Sequence, residues 1–243
     1  MIYEHKTRVD ISKVNGNAFV TNRGMLALLE NVACMHSDKA GYGICEIPIT
    51  HLSWVQLNWR VQIIRRLKYG EEITIKTWAR DASKVSTLRD FEVLDKDNNV
   101  VCIATTRWTL TNIETQSITK ITEDIITKYI PDTKSIMPDF VFKKLKEPEN
   151  FTNGYVYTTQ RRDIDVNKHM HNLNYLDLAY EALPDDVYSQ THTNDFNNIE
   201  IMYKTAIRLG DVSKCNYTFE EDKHIVTIKS MDNKVLHCIV NLW

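Results

Sequence analysis

The 243 residues carry 30 basic and 32 acidic side chains, a net charge of −2, with 43% hydrophobic and 9% aromatic residues. So even a balance supplies no broad field for nucleic acid or an anionic membrane and leaves at most a local basic patch for such partners. No stretch approaches the roughly 20 consecutive apolar residues needed to cross a bilayer, and M-I-Y-E-H-K-T-R-V-D lacks the apolar core of a signal peptide, so no membrane insertion is expected.

In chain order, Tyr3 to Ile11 reads as a short strand and Lys13 to Asn17 as a turn. Asn22 is placed to cap a helix whose apolar positions Met25, Leu26, Leu28, Leu29, Val32 and Ala33 approximate the 3.6-residue period, ending near Gly41 and Gly43. A helix that is apolar nearly all round at its start is expected to be buried and wrapped by a sheet. Strands follow at Trp54–Ile64, Ile73–Ala79, Ser86–Leu94 and Val100–Leu110, with Asp95-Lys96-Asp97-Asn98-Asn99 supplying hairpin chemistry. Between Thr111 and Asn153, three prolines and a Lys/Glu-rich run predict an interdomain connection with some helix.

The same order then returns: strand Tyr155–Arg162, helix Leu173–Leu183 stopped by Pro184, and strands Ile199–Arg208, Val212–Phe219, His224–Ser230 and Val235–Leu242. Short phrases recur with it: V-D-I-S at 9 and R-D-I-D at 162, K-Y-G-E-E at 68 and R-L-G-D-V at 208, D-N-N-V at 97 and D-N-K-V at 232. Common order argues for two copies of one strand–helix–meander unit. One helix of about four turns with an antiparallel sheet curled around it is a hotdog fold. The expected class is therefore α+β, a double hotdog of two tandem helix-wrapped sheets over residues 1–125 and 153–243, with a linker at 126–152. Cys34, Cys45, Cys102, Cys215 and Cys238 form no C-x-x-C pair and sit mostly among apolar neighbours, which predicts reduced thiols and a cytoplasmic location.

One stretch is denser in chemistry than the rest: D-I-D-V-N-K-H-M-H-N-L-N-Y, Asp163 to Tyr175. If extended, its odd positions from 163 to 171 share a face, and carboxylate, amide and imidazole converge as an acid/base site. The same residues also suit a solvated turn leading into an N-capped helix. Both readings stand on local sequence alone.

That stretch, with L-L-E-N-V-A-C-M-H in the first helix, W-V-Q-L-N-W-R at 54, G-E-E-I-T-I-K-T-W-A at 70 and R-W-T-L-T-N at 107, resembles the acyl-ACP thioesterases of the bacterial type, related to the plant plastid enzymes. The family signature D-x-D-x-N-x-H-x-N-N-x-x-Y falls on Asp163 to Tyr175. The resemblance implies hydrolysis of the thioester joining a fatty acyl chain to the phosphopantetheine arm of acyl carrier protein, without metal or organic cofactor. It carries the catalytic roles to Asp165, Asn167 and His169 and leaves the first unit to hold the acyl chain, with Met25, Leu28, Leu29, Val32, Trp54 and Leu57 as tunnel walls or as plain core. A homodimer is a further assembly it allows.

His169 is the side chain whose ordinary pKa lies near neutrality and is the natural proton shuttle. Asn167 cannot titrate and can donate its amide to a substrate oxygen. Two departures follow. His171 stands where the family commonly has Asn and is a candidate auxiliary group. Ala206 stands where the family has an acidic residue, aligned on Tyr203 and Gly210. Counting back from His169 at the offset of Asp163 to Asp10 reaches Gly16, so the first copy lacks an imidazole there and one site per chain is expected. Hydrolysis of acyl-CoA on the same fold and, because of Ala206, acyl binding without turnover are the competing functions.

Among the remaining groups, Trp59, Trp78 and Trp108 read as core. His36 and His51 have no ligand spacing. Arg60, Arg65, Arg66, Lys68, Arg161 and Arg162 are either a solvated face or a surface for an acidic carrier.

Overall fold

The computed structural model describes the backbone of residues 1–243 and every side chain except those of Asp81 and Asn153. The chain divides into two compact units, Met1–Val141 and Phe142–Trp243. Among the described residues no helix is long and apolar enough to cross a membrane.

In the first unit, β1 (Tyr3–Arg8) leads through a short 3-10 turn into α1 (Asn22–Ala40), the small α2 (Ile47–Thr50), and then β2 (Leu52–Ile63), β3 (Glu72–Ala82), β4 (Thr87–Asp95), β5 (Val100–Asn112) and β6 (Ser117–Thr119). The sheet order is β1-β3-β4-β5-β2, antiparallel throughout, with β6 paired to β5. Met25, Leu26, Leu29, Val32 and Ala33 bury one side of α1, and Trp59, Ile75 and Phe91 on the sheet are fully buried with them. Each large apolar side chain removed from water contributes about 1.5–3 kcal/mol.

The cap of α1 is Thr21, whose Oγ1 accepts from the Gly24 N–H at 2.9 Å, and not the expected Asn22. Asn22 is the first helical residue, and its Oδ1 is engaged by Arg66 at 2.6 Å. Gly24 leaves room for the carbonyl of Lys13, which a Cβ there would meet at 2.2 Å. Gly41 ends the helix at φ +78°, a left-handed conformation glycine adopts at low cost. The β4–β5 turn is organised by Asp95, whose Oδ1 accepts from the backbone of Asp97 and Asn99 at 3.0 and 2.9 Å.

Residues beyond β6 pack on the same unit. After α3 (Glu123–Ile126), Tyr129 is buried and its hydroxyl accepts from Trp54 Nε1 at 2.7 Å. Trp78 Nε1 donates to the carbonyl of Lys134 at 2.8 Å.

The second unit repeats the plan: β7 (Asn153–Thr158), α4 (Asn172–Glu181), a further helix α5 (Asp185–Thr191) that the sequence did not suggest, then β8 (Asn198–Tyr203), β9 (Val212–Glu220), β10 (Lys223–Ser230) and β11 (Leu236–Leu242). Its order, β7-β9-β10-β11-β8, matches the first unit strand for strand. Leu173, Tyr175, Leu176, Leu178 and Ala179 bury α4. The two helix-wrapped sheets are those of the expected double hotdog.

Three strands are shorter than their sequence suggests, the first being β1, which was expected to reach Ile11 and stops at Arg8 ahead of the 3-10 turn at Ile11–Lys13. The strand expected to reach Arg162 stops at Thr158, because Asp163 Oδ2 accepts the Gln160 N–H at 2.7 Å and closes a 3-10 turn. The strand expected to reach Arg208 stops at Tyr203, where the Lys204 N–H turns to the carbonyl of His237 and Arg208 N–H to Asp211 Oδ2, ahead of Gly210 at φ +83°.

Candidate active site

Asp163 to Tyr175 folds as a turn and not as an extended strand. Asp163 is buried and structural: its Oδ2 accepts from Gln160 N–H and from the Tyr157 hydroxyl at 2.8 Å. Burial, with the Asp163 hydrogen bond behind it, pushes the Tyr157 phenol above its ordinary pKa. Ile164 and Met170 form an isolated antiparallel bridge. Between them Asp165 N–H donates to the His169 carbonyl at 2.8 Å and Lys168 N–H donates to the Asp165 carbonyl at 3.0 Å, with Lys168 at φ +63°.

The Asp165 side chain sets this geometry. Its Oδ1 accepts from the backbone N–H of Asn167 at 2.8 Å and of His169 at 3.3 Å. Asp and Asn offer the backbone such local bonds in place of a sheet ladder, which is why alternation of side chains across a strand fails here. Asp165, Asn167 and His169 are thus brought together in one five-residue turn, all half-buried. The His169 imidazole makes no hydrogen bond among the described residues, which leaves both ring nitrogens for water and ligand.

His171 has a different task. Its Nδ1 accepts from the Leu173 N–H at 3.3 Å, so it, and not Asn172, is the cap of α4. Its backbone N–H donates to the Asp163 carbonyl at 2.8 Å, and Asn174 Nδ2 donates to the same carbonyl at 3.2 Å. An imidazole that accepts at Nδ1 carries its ring hydrogen at Nε2. His171→Ala is expected to lower unfolding stability by about 1 kcal/mol, while His171→Asn keeps an acceptor and most of that stability; urea denaturation of the two variants measures the difference.

Ala206 is exposed and lies against this turn, because its neighbour Ile207 accepts from Met170 N–H at 2.8 Å and donates to the Tyr175 hydroxyl at 3.1 Å. Burial drives the Tyr175 phenol well above its usual pKa, which keeps that hydroxyl neutral as a strut. The contacts of Ile207 with Met170 and Tyr175, which hold this segment to the turn, were not apparent from local sequence.

The first unit holds the same turn with other chemistry. Val14 bridges Val20, Asn15 Oδ1 accepts from Asn17 N–H at 3.0 Å and Phe19 N–H at 3.1 Å, and Ala18 stands at φ +62°. The true offset here is 150 residues, so His169 corresponds to Phe19 and not to Gly16, Asp165 to Asn15, Asn167 to Asn17, and the cap His171 to Thr21. The first turn therefore has no imidazole or carboxylate. Val20 N–H donates to the Leu67 carbonyl at 2.9 Å, as Met170 does to Ile207, which makes Arg66 the counterpart of Ala206. Arg66 reaches Asn22 Oδ1 and, at 3.3 Å, the Val20 carbonyl.

Other residues singled out in the sequence fall elsewhere. Trp59 and Trp78 are fully buried core. Arg65 forks onto Glu71 and also contacts Asp95 at 3.1 Å. Arg60 bonds the Val61 carbonyl and lies over the Phe140 ring. Arg161 and Arg162 are exposed just ahead of the candidate turn. His51 pairs with Glu114 at 3.1 Å. Among the described residues no three His, Cys, Asp or Glu side chains are grouped to hold a metal.

Comparison with known proteins matches residues 1–129 to the acyl-ACP thioesterase N-terminal domain and residues 146–238 to the acyl-ACP thioesterase C-terminal domain. Among curated relatives, an oleoyl-acyl carrier protein thioesterase of Arabidopsis thaliana is 24% identical over 226 residues, 86% of this chain and 62% of that protein. A dodecanoyl-[acyl-carrier-protein] hydrolase of Umbellularia californica is 26% identical over 164 residues, 64% of this chain and 43% of that protein. The chain thus spans less than two thirds of these relatives. In fold it is similar to an acyl-ACP thioesterase from Bacteroides thetaiotaomicron, with a TM-score of 0.85 and 21% identity over 99% of this chain and 96% of that one. It is also similar to a 12:0-ACP thioesterase from Umbellularia californica, with a TM-score of 0.82 and 16% identity over the same shares.

Proposed function

The chain belongs to the acyl-ACP thioesterase family, and from that premise we propose that it hydrolyses the thioester of fatty acyl chains carried on the phosphopantetheine arm of acyl carrier protein, in the cytoplasm, releasing free fatty acid and the carrier thiol. The observation that carries this reading is the Asp165–His169 turn, in which one carboxylate oxygen holds the backbone of both Asn167 and His169.

In the proposed reaction His169 takes a proton from water as the water oxygen attacks the thioester carbonyl. Asn167 donates its amide N–H to the oxyanion that forms, and no charge is created on the donor. Collapse breaks the C–S bond, and the proton held by His169 passes to the departing thiolate. Asp165 acts through the turn, as the group that positions the other two. Arg161 and Arg162, exposed ahead of the turn, suit an acidic carrier. Five free cysteines suit a reducing compartment.

The test is a series of acyl-ACPs of increasing chain length, each compared with the matching acyl-CoA, with released fatty acid as the readout. We expect turnover on the ACP series with kcat/KM at least about 10-fold above the CoA series, since carrier contacts of this kind are each worth a fraction of the 1.4 kcal/mol that makes a decade. Acyl chain retained on the protein without release would instead make it an acyl-binding protein and overturn the proposal.

A further inference from the structure

A cleft of about 370 Å³ opens between α1 and the edge strand β1 of the first unit, within the roughly 300–1,000 Å³ range of small-molecule sites. Leu28, Val32 and Ile75, all buried, make its floor apolar. The rim is polar: His5 and Thr7 come from β1, Asn31 from α1 and Lys13 from the 3-10 turn. The side chains of His5, Thr7 and Asn31 make no hydrogen bond among the described residues. Lys13 Nζ donates to Ser12 Oγ at 2.7 Å, which leaves it donors to spare. Asp10, also on the rim, spends its carboxylate on the turn. Its Oδ1 accepts from the Ser12 N–H at 2.8 Å and from the Ser12 hydroxyl, and its Oδ2 lies 3.7 Å from Lys13 Nζ.

The second unit fills the same place with its own side chains. Val9 N–H donates to the Glu71 carbonyl and the Val9 carbonyl accepts from Gly70 N–H, as Thr159 does with Asp211 and Gly210. Lys13 N–H donates to the Asp10 carbonyl, as Asp163 N–H does to that of Gln160. The offset of 150 residues thus holds here too, and His5 corresponds to Tyr155, Thr7 to Tyr157 and Lys13 to Asp163. Tyr155 and Tyr157 stack with ring centroids 6.3 Å apart, and the Tyr157 hydroxyl donates to Asp163 Oδ2 at 2.8 Å. In the first unit the outer ring is missing, because threonine stops at its γ atoms, and the carboxylate at its far end is replaced by an ammonium. A ligand that restores the arrangement has a ring to lie against His5, as Tyr157 lies against Tyr155, and an anionic group to meet Lys13.

We propose that this cleft binds a small aromatic carboxylate of the benzoate class, its ring against His5 and over the Leu28–Val32 floor, its carboxylate on Lys13, with Thr7 and Asn31 as further donors. The site lies outside the Asp165–His169 turn, and the inference does not rest on hydrolysis by the second unit. A fatty acid carries the same head but no flat face for His5, so an aryl body is preferred over an alkyl one.

The experiment is calorimetric titration of the full chain with benzoate, with benzamide as the ring without a charge and octanoate as the charge without a ring. The expected result is one benzoate site at least about 10-fold tighter than benzamide, and not displaced by octanoate at equal concentration. Thr7→Tyr supplies the ring that the second unit already has and is expected to weaken benzoate binding by at least about 10-fold. Lys13→Met is expected to erase the preference for benzoate over benzamide, and His169→Ala to leave it as in the wild type. Benzoate bound no tighter than benzamide by the wild type, displacement of benzoate by octanoate, or undiminished binding in Thr7→Tyr overturns the proposal. Loss of binding in His169→Ala does so too, by moving the ligand to the second unit. Should a variant fail to fold, the wild type still decides: benzoate must shift the ring 15N resonances of His5 and leave those of His169 in place, and unmoved His5 resonances refute the site.

Discussion

His169→Ala is expected to lower kcat on acyl-ACP by about 10²–10⁴-fold, the usual range for a positioned general acid–base, with little change in KM. The expectation rests on what the neighbouring imidazole is doing. His171 spends Nδ1 on the Leu173 N–H at the start of α4, whereas His169 sits in the turn with its ring uncommitted among the described residues. His171→Ala should therefore cost stability and leave kcat within a few-fold of the wild type. Single-turnover rates on one acyl-ACP, with folding checked by circular dichroism, separate the two. Wild-type turnover in His169→Ala together with loss in His171→Ala would reverse the assignment.

Ala206→Glu should raise kcat by about 10-fold or more, a fraction of what a fully evolved general base supplies. The first unit indicates where such a side chain reaches. At the corresponding position Arg66 extends to the Val20 carbonyl and Asn22 Oδ1, the residues on either side of the helix cap. A glutamate at 206 would accordingly extend toward Met170 and Asn172, beside the turn that carries His169. Because Ala206 is exposed, the change in stability should stay within about 0.5 kcal/mol. Ala206→Gln gives the same reach without charge and serves as the control: a rise in Glu and not in Gln marks a base, and no rise in either means that His169 activates water unaided.

Much of the fold was legible because its signals are local. Runs of β-branched residues between Asp/Asn clusters located the strands, and the left-handed turn residues Asn98 and Asn233 do fall in the matched phrases at 97 and 232. Gly70 and Gly210, both at φ +83°, sit likewise in the matched phrases at 68 and 208. The match of Asp10 to Asp163 misled. Asp10 and Gln160 are the residues that open the two 3-10 turns, and the shared dipeptide lies three residues out of register. Offsets of 150, 140 and 135 along the chain reflect connections of unequal length, so no single shift aligns the copies.

The turn at Asp165 was illegible for another reason. The same alternating polar residues serve an extended strand or a backbone-capping turn, and only the competition for Asp165 Oδ1 decides between them. Arg89 Nη1 meets His36 Nδ1 at 2.9 Å, a contact between residues 53 apart made by strand and helix packing, which no local pattern announces.

Asn15 and Asp165 share one atom in common use, a side-chain oxygen that receives two backbone N–H groups. What the chain's architecture demands at this place is an acceptor, and the negative charge is an addition specific to the second copy. Geometry and reactivity are thereby inherited separately in a single polypeptide, and the replacement that removes the charge while sparing the turn, Asp to Asn, is one this molecule already carries in its own first half.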